Sequence, residues 1–307
     1  MKVLVTGGAG FIGSHIVDLL IEKSYQVTVV DNLSSGKREN VNTQADLVVK
    51  DIRDNDLINL FEILRPDYVI HQAAQVSVPR SLNDPLEDAQ TNILGLINVL
   101  ECCRKTGVRK VVFASSAAVY GNPEYLPVDE SHPCNPLSPY GISKHTASYY
   151  FKIYQELYGL DYDVLRYANV YGPRQDHLGE GGVVTIFINK LLAGEQPVIF
   201  GDGNQTRDFV YVGDVARANV IGMEASGCQV VNISTGKEVT VNELYGTIKD
   251  ELGSKMAPAY SQPRAGDIYR SCLDNSAARK MLGWQPEILL GEGIKKTISF
   301  FHNIRLT

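Results

Sequence analysis

Hydrophobic positions in the first half of the chain alternate between two periods. Short apolar runs recur at residues 3–6, 26–30, 47–50, 68–71, 110–114 and 162–165. Between them lie stretches with helical spacing, as in residues 11–23, where Phe11, Ile12, Ile16, Leu19 and Leu20 share a face. Strands that are apolar on both sides belong to a parallel sheet covered by helices on both faces. Right-handed crossovers wind such a sheet into a doubly wound, Rossmann-type arrangement. The second half is richer in polar turns, at residues 172–176, 179–182 and 200–203. Strands are predicted there near 197–200, 209–212 and 230–233, and helices over 241–252, 275–282 and 292–302. The expectation is an α/β chain in two parts. Residues 1–166 form a dinucleotide-binding domain to which the chain returns around 207–231, and 167–206 with 232–307 form a smaller mixed lobe.

Composition narrows the function classes. Across 307 residues, 29 Lys and Arg oppose 35 Asp and Glu, for a net charge of −6. A nucleic-acid or anionic-membrane binder needs a basic excess, so neither partner is expected. No apolar run is long enough to span a membrane, and the N-terminus enters a strand without a secretory h-region. Five cysteines without Cys-x-x-Cys spacing fit reduced thiols, and hence a cytoplasmic setting. The adjacent Cys102 and Cys103 read as small buried hydrophobes on the helix around 94–105. Six scattered histidines give no metal site.

Gly7, Gly10 and Gly13 stand between the first strand and the first helix. Glycines there let the backbone turn sharply and approach a diphosphate, while the helix N-terminus points N–H groups and partial positive charge at it. Asp31 ends the second strand, where a carboxylate accepts both hydroxyls of an adenosine ribose and repels a 2′-phosphate. The pattern favours NAD over NADP, a preference slightly weakened by Lys37 and Arg38.

Tyr140 and Lys144 share one face of a predicted helix running to about Tyr158. Tyr245 and Lys249 have the same spacing but fall in the second lobe and read as an ordinary helix-face pair. A free phenol titrates near pH 10. A cation about 4 Å away is worth about 4 kcal/mol at an effective dielectric of about 20, or roughly three pKa units. Lys144 is thus expected, with an oxidised nicotinamide, to bring Tyr140 near half ionisation, so that it takes a sugar hydroxyl proton while hydride leaves the same carbon. Ser115 and Ser116 close the strand at 110–114, where ligands of such sheets sit, and Ser116 is placed to bridge substrate oxygen and phenol.

The segments at 6–13, 31–33, 51–52, 71–74, 91–93, 115–121, 140–144, 165–174, 207–208 and 264–267 together resemble the extended short-chain dehydrogenases/reductases of the nucleotide-sugar epimerase/dehydratase group. Within that group the chain is most similar to the UDP-hexose 4-epimerases. The resemblance implies catalysis by Ser116, Tyr140 and Lys144. It implies NAD contacts from Gly7, Gly10, Phe11, Ile12, Gly13, Asp31, Asn32, Ser35, Gly36, Asp51, Ile52, Ala73, Ala74, Gln75, Asn92, Ser115 and Tyr167, besides Tyr140 and Lys144. It implies a UDP-sugar held by Asn169, Arg207, Arg264 and Asp267, with Val184, Gln196, Val198 and Phe200 around the base and Ser271 near the sugar's C2 substituent, beside Ser116 and Tyr140 at the reacting carbon. A small residue at the Ser271 position leaves room for N-acetyl sugars.

Departures within the group sort the reactions. Dehydratases carry an Asp-Glu pair, and the decarboxylases a Glu, where this chain has Ala117 and Ala118. UDP-glucuronate 4-epimerases place an arginine where Asp176 stands. The expectation is therefore 4-epimerisation of a neutral UDP-hexose, glucose and galactose first and their N-acetyl forms next. A one-way nucleotide-sugar oxidoreductase, a UDP-glucuronate 4-epimerase and a silent NAD-binding regulator are the alternatives; the intact Ser116, Tyr140 and Lys144 oppose the last. The aromatic run 149–158 reads as core or subunit interface, and the resemblance implies a homodimer formed by pairing such helices.

Overall fold

The computed structural model describes residues 1–176, 182–263 and 268–306. The chain runs β1 (Lys2–Thr6), α1 (Phe11–Glu22), β2 (Gln26–Asp31), β3 (Asp46–Val49), α2 (Leu57–Leu64), β4 (Tyr68–His71), α3 (Val78–Asn83), α4 (Pro85–Ala89), a π-helical turn over Gln90–Leu94, α5 (Gly95–Thr106), β5 (Lys110–Ser116), α6 (Pro139–Tyr158) and β6 (Asp161–Tyr167). It continues through β7 (Asn169–Tyr171), α7 (Val183–Leu192), β8 (Val198–Phe200), β9 (Thr206–Arg207), β10 (Phe209–Tyr211), α8 (Val212–Glu224), β11 (Gln229–Ile233), β12 (Val239–Thr240), α9 (Val241–Glu251), β13 (Ala259–Ser261), α10 (Ser276–Leu282) and α11 (Leu290–Leu306).

Seven strands form one parallel sheet in the order β11-β6-β5-β4-β1-β2-β3. The expected doubly wound α/β fold is thus what forms. Alternate residues of each strand feed opposite faces. Val3 and Val5 join one core with α1 and α8, whereas Leu4 joins another with α2, α5 and α6. Burial on both sides is why these strands read as continuous apolar runs. Cys102 and Cys103 lie in the second core, where burial pushes both thiols up. A third core gathers Tyr171, Val184, Phe187, Ile199, Phe209, Leu244 and Ile298 from α7, α9, α11 and the short strands beside them.

Two helices escape the periodicity reading, α7 and α8. In α8 nine of thirteen residues are buried, including Asp214 and Asn219. A helix packed on nearly all sides has no polar face, so its sequence carries no amphipathic signal. It is followed by β11, the seventh strand of the main sheet, paired in parallel with β6.

Candidate active site

The strand order reverses its sense of winding between β1 and β4, and the carboxyl ends of these parallel strands form the crevice in which ligands of open α/β sheets bind. The glycine loop leaves β1 on this edge. Gly7 has φ +70°, and a Cβ on it would lie 2.6 Å from Ala73 N in the loop after β4. A Cβ on Gly13 would lie 2.1 Å from Gly7 O, so α1 can abut the loop only through glycine. No side chain caps the N-terminus of α1, and no acidic residue stands in its first turn. Its leading N–H groups and dipole therefore face the crevice, a cradle fit for a diphosphate.

Asp31 sits at the end of β2 and is buried. Its Oδ2 accepts from Ala9 N at 3.0 Å and its Oδ1 from Leu33 N at 2.8 Å, so the carboxylate shapes the glycine loop. Gly36 packs directly on it, Ser35 is exposed beside it, and Asn32 donates to Asp51 Oδ2 at 2.8 Å. Arg53 forks onto both Asp51 oxygens and holds that carboxyl well below its ordinary range. Ile52 is buried against Gly95. Ala73 N donates to Thr6 Oγ1, which lies 2.6 Å from the Nδ1 of the buried His71. Burial and the Lys144 charge hold His71 down at about 3, so its imidazole is neutral.

The N-terminus of α6 is fixed by Ser138, whose Oγ accepts from Gly141 N at 3.1 Å, with Pro139 in the first turn. Gly141 presses against the turn after β5: a Cβ on it would stand 2.6 Å from Ala118 O. That close approach brings Tyr140 beside Ser116, whose hydroxyl favours the phenolate and whose Oγ accepts from Ala118 N at 3.2 Å. Ser115 is buried, and its Oγ has no partner among the described residues. Lys144 is buried, donates to Ala114 O at 2.8 Å, and has its Nζ 4.8 Å from the centre of the Phe113 ring and 5.9 Å from that of Tyr140.

Burial opposes the ionisation expected of Tyr140. Burial pushes the phenol up, the Ser116 hydrogen bond pulls it down, and the charge of Asp88 pushes it up again. Burial also drags Lys144 down to about 8, while Asp88 supports its charge. The dry environment that strengthens a pair also penalises both of its charges, and Lys144 spends one proton on a carbonyl rather than on the phenol.

Other anticipated residues fall around this centre. Asn92, in the π-helical turn, donates to Gln75 O and accepts from Gln75 N, both at 2.9 Å, pinning the loop that carries Ala73, Ala74 and Gln75. The Tyr167 hydroxyl lies inside a buried network with Asn219 and Gln72, and burial pushes it up. On the other side of the crevice, Asn169 is exposed on β7, and Arg207 on β9 donates to Thr206 O at 2.7 Å. Val198 and Phe200 lie on β8, paired with β13, and Gln196 Nε2 donates to Ala257 O at 3.0 Å. Val184 is buried in the third core and Ser271 is partly buried. Arg264 and Asp267 lie outside the described residues. Tyr245, of the second Tyr–Lys pair, is buried and donates to Met256 O at 2.7 Å, a structural contact.

Asp88 and Ser143 were not anticipated. Both are buried, Ser143 in the first turns of α6 and Asp88 in α4, which packs against it. The available signal was the i,i+4 spacing of Asp88 and Asn92, which places both on one helical face.

Comparison with known proteins agrees with this geometry. The NAD-dependent epimerase/dehydratase family model matches residues 3–234, and the chain belongs to that family. It is 55% identical over 302 residues to a Methanocaldococcus jannaschii protein provisionally named UDP-glucose 4-epimerase, covering 98% of each chain. It is 47% identical over 310 residues to the UDP-glucose 4-epimerase of Mycolicibacterium smegmatis, covering 99% of each. Among solved structures, the UDP-glucose 4-epimerase of Thermotoga maritima with UDP-glucose superposes with a TM-score of 0.97 at 49% identity, over 99% of this chain and 100% of that one.

Proposed function

We propose that this protein interconverts UDP-glucose and UDP-galactose by NAD-dependent 4-epimerisation. The observation that carries the reading is the placement of Tyr140 beside Ser116 at the carboxyl end of β5, on the same sheet edge as the glycine cradle after β1. Bound NAD supplies a reversible hydride acceptor. The cradle of Gly7, Gly10 and Gly13 would hold its diphosphate and Asp31 its ribose, and Ser115 and Lys144 would meet its nicotinamide part. Tyr140 Oη takes the C4 hydroxyl proton as the C4 hydrogen leaves as hydride; once the 4-keto sugar has turned over, C4 regains hydride on its opposite face and Tyr140 Oη gives the proton back to the C4 oxygen. Ser116 holds the C4 oxygen in both orientations. The Lys144 ammonium and the positive charge that accompanies the oxidised coenzyme together offset the burial penalty on the Tyr140 phenolate. Ala117 and Ala118 leave no acid or base to expel water from the keto sugar.

Arg207 and Arg264 grip the UDP diphosphate and Asp267 its ribose, with Asn169, Val184, Gln196, Val198 and Phe200 lining the nucleotide side. This substrate lobe comprises residues 167–206 and 232–307, against a cofactor domain of 1–166. A second substrate class, the N-acetylhexoses, is favoured by one observation. Tyr269 OH donates to Asp202 Oδ2 at 3.2 Å, so that ring is engaged elsewhere and the position expected near the C2 substituent carries the small, partly buried Ser271.

The chain pairs with a second copy through the outward face of α6. Tyr149, Ile153 and Leu157 stand there at successive i,i+4 positions, 63%, 48% and 65% exposed. Five cysteines free of disulfides support a reducing, cytoplasmic setting. Among the described residues no helix is long and apolar enough to cross a membrane.

The test is purified protein incubated with UDP-glucose, UDP-galactose and their N-acetyl forms, with products resolved by NMR. Epimer mixtures without net NADH formation are expected. Net NADH formation would instead mark a one-way oxidoreductase, and unchanged sugars would overturn the reading.

A further inference from the structure

Asp88 is a carboxylate only 1% exposed, in the short helix α4 that packs against α6. Its Oδ1 accepts from Gln75 Nε2 at 2.9 Å and from Asn92 Nδ2 at 3.1 Å. Asn92 Nδ2 also lies 3.2 Å from Ser143 Oγ, and Ser143 Oγ donates to Tyr140 O at 3.0 Å. A continuous buried relay therefore runs from Asp88 through Asn92 and then Ser143, one residue before Lys144, to the backbone of Tyr140. A second branch runs through Gln75 to the loop after β4 that borders the cofactor crevice.

A buried carboxylate is costly unless hydrogen bonds and an opposite charge compensate it. The groups facing this region are Tyr140 and Lys144 from α6 and the neutral His71 from β4. Glu87 on the same helix turns outward to Arg80. The charge of Asp88 favours the charged form of Lys144 and opposes that of Tyr140, while its hydrogen bonds lead through Asn92 and Ser143 into the same helix.

We propose that Asp88 is a positioning residue for the epimerisation: a buried counter-charge that, through Asn92, Ser143 and Gln75, sets Tyr140 and Lys144 toward the nicotinamide. The proposal rests on the epimerase reading above. Asp88 touches neither substrate nor reacting atoms and acts through its neighbours.

Asp88→Asn keeps the size and one acceptor oxygen and removes the charge. In the cofactor-free protein, the Lys144 side chain, followed by NMR of lysine labelled at Cε and assigned with Lys144→Arg, titrates below the wild-type value of about 8 in this variant. In the holoenzyme, kcat falls about tenfold, less than loss of an acid–base group itself costs, while KM for UDP-galactose stays within about twofold. The deficit grows as pH rises toward 9, because Lys144 loses its proton earlier. Glu87→Gln, the same charge change on the exposed side of α4, leaves the titration and kcat in place. An Asp88→Asn protein with an unmoved Lys144 titration overturns the proposal, as does a Glu87→Gln protein that shifts equally. If Asp88→Asn does not fold, Ser143→Ala cuts the relay without touching the charge; kcat then falls with KM held, and an unchanged kcat overturns the proposal. The titration is read without cofactor or substrate. A wild-type protein that epimerises no UDP-hexose therefore sinks the epimerase reading while the titration still judges Asp88.

Discussion

Gly141→Ala tests how tightly α6 must sit on β5 for the site to exist. The new Cβ would lie 2.6 Å from Ala118 O and 2.9 Å from Pro136 Cβ, where ordinary contact begins at 3.4 Å. Relief requires the first turn of α6 to retreat by about 0.8 Å from the 117–119 turn. Tyr140 is the preceding residue and moves with it, away from Ser116. Two stability effects oppose one another. Overpacking costs roughly 1–3 kcal/mol, and alanine in place of glycine in a helix returns roughly 1 kcal/mol. The net loss is therefore about 0–2 kcal/mol, a tolerable change for a chain of this size. The catalytic effect is larger, since a misplacement near 1 Å costs on the order of 100-fold in rate. Epimerisation of UDP-galactose, followed by NMR beside a thermal melt, should show kcat down about 10- to 100-fold with a folded protein that still binds NAD. A folded variant with kcat within about twofold of wild type would refute the idea that this helix–strand contact sets the Tyr140–Ser116 geometry.

Other expectations are simpler. Tyr140→Phe removes the proton carrier and should cut kcat by about 10²–10⁴ while leaving the melting temperature nearly unchanged. Gly13→Ala, whose Cβ would stand 2.1 Å from Gly7 O, should abolish NAD binding in a fluorescence-quenching titration. Ser138→Ala removes the α6 cap and should cost about 1 kcal/mol in a denaturant melt. Lys144 has a folded pKa of about 8 against an ordinary 10.5. Activity that needs its charge should fall as pH rises through about 8. Its drag on stability, which is full below that point, is relieved between about 8 and 10.5, where the unfolded chain holds the proton and the folded one does not.

Much of this protein is written locally. The glycine loop, the acid at the end of β2 and the Tyr140–Lys144 spacing follow from short-range rules: a close backbone approach requires glycine, and residues four apart share a helical face. The main sheet was legible for the same reason, since strands buried on both faces must be apolar throughout. Helix α8 was not legible, because burial nearly all round erases the period that marks a surface helix. Nor can spacing separate Tyr140 from Tyr245. The fold does so by seating one beside Ser116 and tying the other to Met256 O. Protonation belongs wholly to the tertiary structure. A sequence supplies a phenol and an ammonium, but desolvation depends on every atom packed around them. Only the assembled core reveals that both charges are penalised there and that Asp88, some fifty residues earlier in the chain, is the buried charge set against Lys144.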